Sequence, residues 1–146
     1  MEREEAVFLL KCHAFACDDV THPKVEQGFL GSLRPFRGHL IEENFHELMS
    51  ILRVLAPELA RPALNREVIA CLWSITHLAR AWAIEPAGML RSNHLISEEQ
   101  VAVMEQWLSM FSYAVMILVE DGGEQEAFWE YEQYIQNSGI TEGEGV

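Results

Sequence analysis

Ser97-Glu98-Glu99-Gln100-Val101-Ala102-Val103-Met104-Glu105-Gln106-Trp107-Leu108-Ser109-Met110-Phe111-Ser112-Tyr113-Ala114-Val115-Met116-Ile117-Leu118 is the stretch on which the fold turns. Ser97 and Gln100 have the spacing of a capping box, and Glu98 and Glu99 fall in the first turn, where the helix dipole favours anions. From Val101 onward, Met104, Leu108, Phe111, Val115 and Leu118 recur at intervals of three and four residues. Val103, Trp107, Met110, Tyr113 and Ile117 fill the other faces, so the helix (about 97–120) is apolar almost all round. Such a helix belongs at the centre of a bundle, in contact with at least three others. Gly122 and Gly123 follow and can adopt the positive φ of a helix terminus. The most apolar run, 107–119, contains Ser109 and Ser112 and is shorter than the ~18 residues of a membrane span, which points to a buried helix.

Helical spacing recurs on either side of this segment, with no convincing strand alternation and no internal repeat. The expectation is an all-α, single-domain bundle of about five to six helices over residues 1–136, with a disordered acidic tail over 137–146. Residues 2–16 read as a helix with Val7, Leu10 and Ala14 on one side, although Ala6 to Leu10 alone is also compatible with a strand. Pro23 suits the first position of a short helix ending at Pro35. A longer helix over 39–55 directs Ile41, Phe45, Leu48, Leu52 and Leu55 inward and Glu42, Glu43, His46, Glu47 and Arg53 outward. The helix over 64–82 buries Val68, Leu72, Ile75, Ala79 and Trp82. Its other side, Ala70, Ser74, His77 and Ala81, is small enough to touch a second neighbour. A last helix over 124–136 pins Phe128, Tyr131 and Ile135 onto the core.

The chain has 146 residues, about half of them apolar, enough for one full core. Its N-terminus, Met1-Glu2-Arg3-Glu4-Glu5, lacks the basic and apolar regions of a secretory signal. Cys12, Cys17 and Cys71 form an odd set and read as reduced thiols. Together these features predict a cytoplasmic protein.

Charge divides the chain at Arg91. Acids and cations nearly balance before it, whereas from Ser92 to Val146 there is no Lys or Arg, giving a net charge of −13. That field disfavours nucleic acid and anionic membrane and favours a basic protein partner. On the last helix Glu126 and Glu130 form a carboxylate pair at i, i+4 around Trp129, the expected exposed anchor. These observations lead to an interaction module, for example one that neutralises a basic partner.

The alternative is an enzyme or metal site. His39, Glu43 and His46 at helical spacing can share one face and close on a divalent ion. A di-iron bundle needs a second Glu-x-x-His, which the chain lacks, so a solvated polar face accounts for the same letters. Cys12, His13, Cys17, Asp18, Asp19 and His22 crowd eleven residues with possible zinc ligands, but the cysteines are five apart and do not align on a helix. His77, flanked by Ser74 and Arg80, is a candidate buried base. Arg34, Arg37 and Arg91, with His39, are candidates for an anion-binding mouth, since Arg forks match carboxylate and phosphate; pairing with the surplus acids is their ordinary alternative use. No Gly-x-Gly-x-x-Gly, Walker loop, Gly-x-Ser-x-Gly or His-Glu-x-x-His occurs, so no cofactor is expected.

Overall fold

The computed structural model describes residues 1–139. Helices follow one another as α1 (Arg3–His13), α2 (Pro23–Glu26), α3 (Glu42–Leu59), α4 (Arg66–Ala79), a π-helical turn (Arg80–Ile84) continuing α4, α5 (Met89–Ser92), α6 (Glu98–Val119), α7 (Glu124–Ala127) and α8 (Trp129–Asn137). Among the described residues there is no β-strand, only an isolated bridge between Leu33 and Phe36. The protein is an all-α bundle. Residues 140–146, most of the expected acidic tail, lie outside the described residues; α8 extends through Asn137.

α6 forms with both halves of its capping box in place: Gln100 N–H donates to Ser97 Oγ at 3.1 Å and Ser97 N–H to Gln100 Oε1 at 3.0 Å. It packs against α3, α4, the π-turn and α7, burying Met104, Trp107, Leu108, Met110, Phe111 and Leu118. By length and composition this 22-residue helix could cross a bilayer. Its central packing accounts for part of that apolarity, while Val103, Val115, Met116, Ile117 and Val119 stay partly or largely exposed.

The end of α6 corrects one expectation. Asp121, not a glycine, takes the left-handed conformation at φ 58. Its N–H donates to Leu118 O at 3.1 Å and the Gly122 N–H to Ile117 O at 2.8 Å, the Schellman pattern. An aspartate there combines left-handed strain with a carboxylate at the negative end of the dipole. Asp121→Gly is therefore expected to raise stability by about 0.5–1 kcal/mol, read as an increased denaturant midpoint at unchanged m-value. The same closure ends α1 with Phe15 at φ 60, where Ala16 N–H donates to Lys11 O at 2.8 Å.

Several burial patterns also differ from expectation. α1 is helical, with the expected Leu10 and Ala14 buried and Val7 packed against the core, and the buried face is wider than expected, taking in Ala6, Leu9, Cys12 and His13 as well. α3 starts at Glu42, leaving His39 and Ile41 outside the helix, and runs through Pro57 to Leu59. α4 buries Val68, Leu72, Ile75 and Ala79, yet its opposite side has no second neighbour: Ala70, Trp73 and His77 are exposed. The last helical segment breaks at Phe128, so Glu126 and Glu130 are not paired along one continuous helix.

Candidate functional site

Two surface concavities and two part-buried polar clusters hold some of the side chains singled out by the sequence. The first cluster centres on His13, which is 2% exposed. Phe29 N–H donates to its Nδ1 at 2.9 Å, so the ring proton sits on Nε2 and faces Glu47 Oε1 at 2.8 Å. Leu30 N–H adds a bond to His13 O at 3.1 Å. Both ring nitrogens are thereby used within the fold, which removes His13 from any zinc site and makes it a clamp joining α1, the 27–33 segment and α3. The His13 hydrogen bond holds the Glu47 carboxyl below the usual carboxylate range, aided by the charge of Lys24 at 3.7 Å. Cys12 and Cys17, brought together by the turn at Phe15, have their sulfurs 3.5 Å apart. Burial first, then the Cys17 contact, pushes the Cys12 thiol up to about 12, which makes it a poor nucleophile.

The second cluster places His46, expected to face solvent, against α8. Its Nδ1 lies 2.7 Å from Tyr131 Oη, and its Nε2 is buried, 3.5 Å from Glu42 Oε1. Tyr134 Oη donates to Glu42 at 3.1 Å and accepts from Trp107 Nε1 at 3.3 Å. Phe45 stacks on Trp107 at 5.3 Å and meets Tyr131 edge-on at 5.6 Å. The polar face of α3 is thus a set of pins to α1 and α8. Arg53 belongs to the same set, paired with Glu132 and lying 4.5 Å over the Phe128 ring.

These placements separate the proposed metal and enzyme residues. His39 precedes α3, Glu43 is exposed, His46 bonds Tyr131, and His77 is exposed rather than buried. Among the described residues no three His, Cys, Asp or Glu side chains are placed to hold one metal ion.

The first concavity, about 500 Å³, lies between the end of α1 and the 31–41 segment. Arg34, Arg37 and His39 line it together with one carboxylate, Glu26, and with Phe15, Pro35 and Ile41 as apolar wall. Arg91 is not part of it: Nη1 donates to Ile84 O at 2.9 Å and Nη2 pairs with Glu98 at 3.2 Å, bracing the long connection before α6. Of the four residues expected to gather in one mouth, Arg34, Arg37 and His39 line this cleft and Arg91 does not.

The second concavity, about 460 Å³, is an apolar groove between α4 and α6 that the sequence analysis missed. Ile69 and Trp73 form one wall, Val115 and Met116 the other, and Leu64, Val119 and Glu120 close one end. Trp73 is 74% exposed and Met116 47%. The available signal was the continuous apolarity of α6 alongside Ile69-Trp73 at i, i+4 on α4, which exceeds what one core can absorb.

On the acidic side, Trp129 is 58% exposed, whereas Glu126 accepts a hydrogen bond from Tyr113 Oη. Glu130 is exposed. These three line neither concavity.

Comparison with family models, with curated proteins and with solved structures gave no match to this chain.

Proposed function

We propose that the protein is an interaction module that seats a basic amphipathic helix of a cytoplasmic partner protein in the α4–α6 groove. The observation that carries this reading is Trp73, an indole 74% exposed beside Met116 on an apolar floor. Large exposed aromatics above a groove are typical anchors, and a helix laid in such a groove presents apolar residues at i, i+3, i+4 and i+7. Charge complementarity supplies the partner's sign. The outward stripe of α6 runs Glu105, Ser109, Ser112, Met116, Glu120, and no cation occurs after Arg91. Lys and Arg flanking an apolar stripe would meet carboxylates at both ends of that face, raising encounter rate more than final affinity. Glu130 and Trp129 extend the acidic surface but lack the groove, so they serve as secondary contacts.

The test uses a dye-labelled synthetic helical peptide with Leu at i, i+3, i+4 and i+7 and Lys on its other face, its fluorescence anisotropy followed as protein is added. Saturable binding is expected, with Trp73→Ala plus Met116→Ala weakening it by at least about tenfold, the scale of hot-spot truncation, while circular dichroism remains helical. Binding untouched by that pair would place the contact elsewhere. A concentration-dependent dimer of the protein alone, abolished by Trp73→Ala, would put a second copy in the groove and overturn the basic-partner reading.

A further inference from the structure

The geometry points to a small-molecule site in the cleft beside α1, taking an organic oxyanion, carboxylate or phosphate, that carries an apolar body. Charge is the first reason. In a chain with 23 acids against 10 cations, two arginines gathered in one cleft without a salt bridge stand out. Arg3, Lys11, Lys24, Arg53 and Arg91 each have a carboxylate partner. Arg34 and Arg37 have none among the described residues, as is true of Arg61, Arg66 and Arg80, but of these five only Arg34 and Arg37 line one cleft, together with His39. Two guanidinium forks on one wall suit an oxyanion, and an imidazole beside them can add a third donor.

The second reason is that the wall is held in place. Gly38, at φ +96 with open space where a Cβ would stand, turns the chain between Arg37 and His39, so its role is conformational. Its carbonyl accepts Gln100 Nε2 at 2.9 Å, which ties the cleft to the capping box of α6. The Arg34 guanidinium lies 5.5 Å over the Trp82 ring, an interaction that limits its rotation. Below, Asn44 Nδ2 donates to Gln27 O at 2.8 Å and the His13 clamp fixes Phe29.

Phe15 is the third reason. It lines the apolar side at φ 60, a conformation strained for a bulky residue and free for glycine. The closure of α1 places Phe15 there, and at 44% exposure the residue stays open to the cleft, where an apolar ligand body would pack against it and Pro35. At about 500 Å³ the cleft falls within the range of small-ligand sites.

Calorimetric titrations of the full chain with phenyl phosphate, benzoate and inorganic phosphate test this. Saturable binding of phenyl phosphate or benzoate is expected, whichever binds more tightly identifying the headgroup, with inorganic phosphate at least about tenfold weaker. Arg37→Gln and Arg34→Gln should each weaken binding by about tenfold or more, while Arg61→Gln, an unpaired arginine outside the cleft, changes nothing. Phe15→Gly should lower affinity while leaving the melting temperature unchanged or higher, a combination that a purely structural role would not produce. No saturable binding of either organic anion overturns the proposal. So does inorganic phosphate binding as tightly as phenyl phosphate, or binding indifferent to both Arg34→Gln and Arg37→Gln.

Discussion

Phe45→Ala is expected to lower the free energy of unfolding by about 3–5 kcal/mol, measured from urea denaturation. Phe45 is fully buried and occupies the point where α3, α6 and α8 meet, stacked on Trp107 and edge-on to Tyr131 and Tyr134. Truncation removes the transfer energy of the ring and leaves a cavity among three stiff aromatics that collapse poorly into it. Phe111→Ala, at another buried site on α6, should fall in the same range. A loss below about 1 kcal/mol at either position would mean that α6 does not carry the core.

His13→Ala is expected to cost about 2–4 kcal/mol, because it strands the buried Phe29 N–H and removes the hydrogen bond to Glu47. Glu47→Gln should cost less, since a neutral amide can still accept from Nε2–H and Glu47 is partly exposed. The same contact sets an acid dependence. Glu47 has its folded-state pKa depressed, chiefly by the His13 hydrogen bond, so its carboxylate stabilises the fold above the ordinary glutamate value of about 4.3. That contribution fades as pH falls below this value and is gone once pH has dropped through the lowered folded pKa. Urea midpoints measured from pH 6 down to pH 2.5 should show this decline, and Glu47→Gln should flatten it. A wild-type profile superimposable on the variant's would remove Glu47 from the acid response.

His13 illustrates how far residue patterns reach. Its burial was readable, since Ala6, Leu10 and His13 lie at i, i+4 and i+7, but the expected stripe of Val7, Leu10 and Ala14, although packed on the core, left His13 out. Its partner was not readable, because Glu47 stands 34 residues away and nothing local selects it among the many glutamates. The polar face of α3 failed for the same reason. Glu42, His46, Glu47 and Arg53 have the spacing of a solvated stripe, and only the arrival of α1 and α8 turns them into pins.

Short-range physics explains what the residues determined alone. Capping at Ser97, three-and-four periodicity from Val101 to Leu118 and the punctuation at Pro23 act within a turn or two, so the all-α class and the place of α6 followed from them directly. The contacts that define the surfaces depend on which helices cross. Arg34 and Arg37 share a cleft while Arg91 braces a loop, and Trp73 stands open over the α4–α6 groove because no element among the described residues covers it. Periodicity marks a face as apolar, but whether that face is buried or left as a groove depends on the number of neighbours that pack against it, and that number is a property of the assembled bundle.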